Sequence, residues 1–223
     1  VLLVLLRTDL IASWRNATPP DAPNRFVINV QPEQGAAFQQ ALRDGGIAKF
    51  DWYPMIRGRL VSVNGQPVQP DSYESERAQR LVEREFNLSH TEVQPPHNEV
   101  VQGRWTANEA DGLSVEEGLA EELGLKLGDT LGFDMAGVAV NGRITSLRKV
   151  DWGSMRVNFF VIFPLAEMPD VPVTYISAYR VADSDKRFDN TLVRQFPNIT
   201  NVDMSQTIAQ LQRVPGQRIP RAT

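Results

Sequence analysis

The sequence predicts a mixed α/β (α+β) fold in two lobes, and three observations carry that prediction. A strand–helix–strand pattern stands near each end of the chain, and the stretch between them is dominated by short β-rich segments. Asn-Gly also occurs twice, at Asn64-Gly65 and Asn141-Gly142, and this pair suits tight hairpin turns because both residues tolerate positive φ. One α/β lobe is therefore expected from two βαβ units, residues 1–70 and 165–214. A mainly β lobe, 71–164, is inserted between them, and 215–223 read as a disordered tail. The 223 residues, 42% of them hydrophobic, are enough for one large domain or two small ones with a packed core.

The chain opens on Val1-Leu2-Leu3-Val4-Leu5-Leu6, closed by Arg7 and Asp9. Six apolar residues fall far short of the roughly 20 that cross a bilayer. The stretch is either a buried strand or helix turn, or the end of a membrane helix that begins earlier. TPPDAP, from Thr18 to Pro23, is extended, since prolines fix φ and push their predecessors out of the helical region. Arg25 to Val30 is a strand. Pro32 to Asp44 is a helix, with Phe38, Ala41 and Leu42 at helical spacing and Gly45-Gly46 as its stop. Phe50 to Val63 is a strand ending in the Asn64-Gly65 turn. Strands joined through a helix are expected to run parallel with a right-handed crossover.

In the middle, Ser72 to Arg84 reads as a charged amphipathic helix, and Phe86 to Leu88 and Val100-Val101 as short strands around the Pro95-Pro96 loop. Ser114-Val115-Glu116-Glu117 has the form of a capping box. The helix it opens turns Leu119, Ala120 and Leu123 inward and stops at Gly124. Strands follow at Thr130 to Met135, Val138 to Val140 and Arg143 to Val150, the last two flanking Asn141-Gly142. Val157 to Phe163 (VNFFVIF) is a near-continuous apolar run, as for a strand covered on both faces, and Pro164 closes it. The second βαβ unit comprises strand Thr174 to Arg180, helix Asp183 to Gln195 with Phe188, Leu192 and Val193 on one side, and strand Ile199 to Val202. A last helix, Met204 to Val214, carries Ile208 and Leu211 as its apolar stripe.

Composition excludes several chemistries. With 23 basic against 27 acidic residues, nothing electrostatic favours a nucleic-acid partner. No cysteine means no disulfide, thiolate metal site or cysteine nucleophile. His90 and His97 stand seven apart around a Pro-Pro step, so they cannot share one helix face, and the chain has no HExxH, GxSxG, P-loop or GxGxxG pattern. Glu116-Glu117 and Glu121-Glu122 read as the solvated side of a helix rather than an acid/base pair. No enzyme activity, cofactor or metal is expected.

The segments LLRTDLIASWRNATPPDAPNRFVINVQP, MIRGRLVSVNGQPV, VEREFNLS, LSVEEGLAEELGLKLGDTLGFDMAG and ITSLRKVDWGSMRVNFFVIFP resemble the large extracytoplasmic domain of bacterial ABC transporter permeases. The likeness is to the FtsX-like, MacB-like group, especially its YbbP-type members, and covers Val1 to Val214. It implies a periplasmic domain inserted between two helices of the inner membrane, with a porter-like α/β lobe and an inserted, mainly β lobe. The apolar opening would then be the end of the preceding membrane helix, and residues 204–214 would lead toward the next. The resemblance also implies a dimeric or pseudo-dimeric permease whose membrane helices are moved by a separate cytoplasmic ATPase subunit. The domain would relay that motion. Substrates of relatives include lipids, lipoproteins, hydrophobic drugs and peptides, and no nucleotide site would lie in this chain. The alternative is a free-standing periplasmic module that binds a peptide or lipoprotein.

The residues expected to touch a partner or substrate are Trp52, Trp105, Asp151, Trp152 and Arg156. Trp52, Tyr53, Trp105 and Trp152 pair an apolar body with a donor, which suits either contact anchors or core packing. The Asp151-Trp152-Gly153-Ser154-Met155-Arg156 loop lies between two strong strands and is either a contact segment or a connector in which Asp151 and Arg156 pair locally. Arg57 and Arg59 alternate along a strand and share one face, which is either solvated or turned to an acidic partner.

Overall fold

The computed structural model describes residues 19–168, 170–182 and 186–208. The apolar opening, the start of the helix expected from Asp183, everything after Ile208 in the last helix and the tail lie outside these residues. The strands are β1 (Arg25–Val30), β2 (Phe50–Val63), β3 (Gln66–Pro67), β4 (Glu85–His90), β5 (Asn98–Gly103) and β6 (Gly112–Glu116). They continue with β7 (Thr130–Met135), β8 (Val138–Val150), β9 (Val161–Phe163), β10 (Thr174–Tyr179) and β11 (Thr200–Asp203). The helices are α1 (Gly35–Asp44), α2 (Glu76–Glu83), α3 (Glu117–Leu123) and α4 (Lys186–Gln195). Two compact units result, one from the residues up to Trp52 with 151–157 and those from Tyr175 onward, the other from 53–150 and 158–174.

In the first unit β1 lies between β10 and β11 and is antiparallel to both, with Phe26 opposite Ala178 on one side and Val202 on the other. Beyond β10 comes the start of β2. The parallel pairing expected inside each βαβ unit is therefore corrected. β10 separates β1 from β2, and β1 separates β10 from β11, so the two units interleave as split βαβ motifs. This gives both helices one shared core. Phe38 and Leu42 of α1 and Leu192 of α4 pack with Val27, Val30, Tyr179 and Phe196. Val193, expected on the same side as Leu192, is 44% exposed.

The second unit is a closed six-stranded barrel. Around the ring, β2 pairs with β4, β4 with β9, β9 with β6, β6 with β8, β8 with β7, and β7 returns to β2. The β4/β9 and β6/β8 pairs are parallel and the rest antiparallel. Closure satisfies the ladder of every barrel strand, and β5 adds to β8 outside the ring. Leu60, Leu88, Leu113, Phe133, Ile144 and Phe163 fill the core, against which α2 lays Ala78 and Val82 and α3 lays Leu119, Ala120 and Leu123.

Asn64-Gly65 makes its predicted turn, with φ of 52° and 78° and Val63 opposite Gln66. Asn141-Gly142 does not. The turn between β7 and β8 is Ala136-Gly137, at φ 53° and 88°, and β8 runs unbroken through Asn141 and Gly142. Gly142 serves close packing instead, since a Cβ there would stand 2.5 Å from Leu113 Cγ.

Four other local readings are corrected. Ser114 sits inside β6, so the cap of α3 is Glu116, whose carboxylate accepts the Leu119 amide at 2.7 Å. Glu116 is accordingly buried rather than solvated. α2 begins at Glu76, capped by Ser75, after a separate 3-10 turn at Pro70–Ser72. VNFFVIF is a strand only over Val161–Phe163; Val157 and Phe159 are buried in irregular backbone.

Candidate functional site

The loop from Asp151 to Arg156 is built by short-range bonds and fixed by one distant carboxylate. Asp151 accepts the Gly153 amide at 3.1 Å and caps the 3-10 turn Trp152–Ser154. Met155 then takes the left-handed region at φ 60°, and the Arg156 amide donates to Ser154 Oγ at 3.2 Å. These bonds reverse the chain within a few residues, leaving Trp152 at the tip. The residue is 48% exposed, the only aromatic among the large exposed hydrophobic residues of those described.

The local Asp151–Arg156 pair weighed for this loop is not formed. Arg156 Nη2 meets Asp51 Oδ1 at 2.6 Å, and the Val157 amide donates to Asp51 Oδ2 at 2.9 Å. The physical reason is burial. Asp151 is exposed and spends its carboxylate on the turn, whereas the Asp51 side chain is only 5% exposed and needs charged and amide donors. Ser177 Oγ donates to the Asp51 carbonyl at 2.7 Å, holding that part of β2 beside β10. No motif marks Asp51 in the sequence. Its one signal is an acid inside an otherwise aromatic and β-branched strand.

The other predicted contact residues stand apart from this loop. Trp52 is half-buried in the first unit, its ring stacked at 4.8 Å and 6° on Tyr175 and at 5.8 Å on Phe38. Trp105, in the second unit, is half-buried and donates from Nε1 to the Glu92 carbonyl at 2.9 Å. Arg57 and Arg59 are both exposed on β2. The structure thus joins Asp151, Trp152 and Arg156 into one element and gives Trp52 and Trp105 separate surroundings.

Two buried arginines escape any motif search. Arg25, with no exposed surface, bonds Asp189 through Nε at 3.1 Å and Asp203 through Nη1 at 2.8 Å. Burial works to raise the Asp203 pKa, but hydrogen bonds from Lys186 and Ser205 and the Arg25 charge outweigh it and hold the carboxyl well below the usual range. Arg148, equally buried, bonds Ser114 Oγ at 2.8 Å, Asn98 Oδ1 at 2.6 Å and the Phe159 and Phe160 carbonyls at 2.9 and 3.0 Å. Desolvation draws its pKa down to about 10 while the Glu116 charge pulls the other way, so it stays cationic at neutral pH.

Among the described residues no His/Cys/Asp/Glu group is placed to hold a metal ion, and no helix is long and apolar enough to cross a membrane. No protein-family model matches the chain. Over 210 residues it is 36% identical to the uncharacterized ABC transporter permease YbbP of Escherichia coli (strain K12), an alignment covering 94% of this chain and 25% of YbbP. This chain is thus similar to one part of a YbbP-type ABC transporter permease. The chain spans about a quarter of that relative's length. It is similar to the crystal structure of the periplasmic region of MacB from Actinobacillus actinomycetemcomitans, with a TM-score of 0.44, 10% identity, and coverage of 88% of this chain and 96% of that one. A domain of a putative permease from Porphyromonas gingivalis is also similar, at TM-score 0.40 and 11% identity over 82% of this chain and 91% of that one.

Proposed function

We propose that this domain stands on the periplasmic side of the inner membrane and relays motion that a cytoplasmic ATPase subunit imposes on the permease's membrane helices. The identity with YbbP along nearly the whole chain carries the reading. In this account the first unit, assembled from both ends of the chain, takes the porter-like role, and the barrel is the inserted lobe. Each has its own hydrophobic core, which suits motion as rigid bodies. The Asp151–Arg156 loop, with Trp152 at its tip, is the element proposed to touch a periplasmic partner or a hydrophobic, lipid or lipoprotein substrate.

The test uses the full permease with its ATPase in lipid nanodiscs, carrying one spin label in each unit. A distance distribution that shifts between nucleotide-free and ATP-bound states is the expected result. An identical distribution in both states, in a preparation that hydrolyses ATP, would overturn the relay and favour a binding module without driven motion.

A further inference from the structure

The first unit carries an open cleft of about 870 Å³ that the permease relationship does not explain. Its volume lies within the roughly 300–1,000 Å³ usual for small-molecule sites. Four stretches of chain supply its walls: the approach to β1, the α1–β2 connection, the loop held by Asp51, and the end of β10 with Arg180. The apolar lining that a ligand can reach comes from Ala48, which is exposed, and Phe50, which is half-buried.

The charge on the walls is one-sided. Arg43, Lys49, Arg156 and Arg180 line the cleft against two carboxylates, Asp21 and Asp51, in a chain whose net charge is -4. Asp51 is already engaged by Arg156 and the Val157 amide. Arg43 lies over the Phe50 ring, 5.7 Å from its centroid, a contact that orients the guanidinium without neutralising it. Among the described residues neither Arg43 nor Lys49 has an ion-pair partner. Arg180 donates to the Ala22 carbonyl at 3.1 Å. Arg43 and Lys49 thus offer two exposed cations on one cleft, which suits an anion such as phosphate, and guanidinium forks meet phosphate oxygens in pairs.

We propose that this cleft binds a phosphate group, held by Arg43 and Lys49, with the ligand's remainder lying over Ala48 and Phe50. The phosphate belongs either to a soluble phosphorylated compound or to a lipid headgroup. The inference is independent of the relay, because the 223-residue chain itself must bind.

Amide resonances of the purified chain are followed during titration with inorganic phosphate, against sodium chloride at equal ionic strength. Saturable shifts confined to the cleft residues are expected, with binding weakened about tenfold or more in the Arg43→Glu/Lys49→Glu double variant. Both positions are exposed, and a circular dichroism melt matching the parent shows that the variant is folded. No saturable shift, or the same affinity in the folded double variant, overturns the proposal. Flotation with phosphatidylglycerol vesicles then separates the sources. Flotation that the double variant loses assigns the phosphate to a lipid headgroup, and phosphate titration without flotation assigns it to a soluble ligand.

Discussion

Arg156 and Asp51, 105 residues apart in sequence, meet at 2.6 Å and fasten an exposed tryptophan loop to a buried carboxylate. The loop's placement therefore depends on a residue that belongs to another strand. Asp51→Asn keeps the shape but removes the charge that Arg156 and the Val157 amide share. A loss of about 1–3 kcal/mol is expected in urea unfolding, with the midpoint lowered and the slope unchanged. A double-mutant cycle with Arg156→Ala measures the coupling, and a coupling of zero would refute the anchoring role.

Trp152 calls for the opposite outcome. It has about half its surface in solvent and no place in either core, and Trp152→Ala is expected to change the stability of the purified domain by no more than about 0.5 kcal/mol. In the complete transporter the same substitution is expected to impair transport if the loop makes a contact. A thermal shift as large as that of Asp51→Asn would assign the ring to packing instead.

Gly142 separates two reasons for keeping a glycine. In a hairpin turn it would supply positive φ, but here it leaves room for Leu113, whose Cγ, Cδ1 and Cδ2 would lie 2.5, 2.9 and 3.0 Å from an added Cβ. Gly142→Ala should lose about 1–3 kcal/mol through overpacking. Adding Leu113→Ala should recover part of that loss, giving a double variant more stable than two independent losses predict. Additive losses would mean that the added methyl does not press on Leu113.

The same residue shows how far the sequence could be read. Periodicity located β1, β2, β7, β10 and the inward stripe of α3, because each has its burial pattern written into consecutive side chains. Asn64-Gly65 was legible because its turn is local. Asn141-Gly142 misled because the deciding partner, Leu113, lies in another strand, and the β6/β8 pairing that brings it there is parallel and non-local. The interleaving of the two βαβ units was hidden for a similar reason: helical spacing reports that a helix has an apolar face but not which strands share it. At the loop, Trp152 could be picked out as a large aromatic in polar company, but Asp51 could not, since an isolated acid in a strand looks the same whether it faces water or a guanidinium.

Asp203 sets an expectation for acid stability. Its folded pKa lies below the ordinary carboxylate range, so the stabilisation it shares with Arg25, Lys186 and Ser205 is complete above the unfolded value of about 3.9. That contribution is lost as pH falls through the folded value. The parent's stability should therefore be flat in this respect from neutral pH to about pH 5 and fall below it. Asp203→Asn should show a constant deficit above pH 5 and a shallower fall below. Asp129, whose pKa is also lowered, leaves a residual slope in the variant: burial acts to raise it, but hydrogen bonds from Asn64 and Lys126 and the Lys126 charge prevail. Parallel stability curves across the acid range would remove Asp203 from the account.

Arg148 is the strongest single dependence in the barrel unit. Its guanidinium, itself out of contact with water, joins β8 to Ser114 of β6, to Asn98 of β5 and to the carbonyls of Phe159 and Phe160 just ahead of β9. The Phe160 carbonyl also accepts the Glu116 amide at 2.7 Å, whereas the Phe159 carbonyl lies in irregular backbone with no strand ladder to replace the donor it would lose. Arg148→Met fills much of the same volume but leaves the acceptors and the nearby Glu116 charge unanswered, and such removal of one partner from a buried charged network costs about 3–5 kcal/mol. Arg148→Lys keeps the charge but cannot reach several acceptors in one plane, so it too should destabilise, by less than Met. Urea unfolding ranks the three proteins. Hydrogen exchange checks the cause, because amides of 159–163 should exchange faster in both variants than those of β7, which Arg148 does not bond. Protection lost evenly across the barrel would mean that the arginine supports overall packing and does not hold that segment in particular.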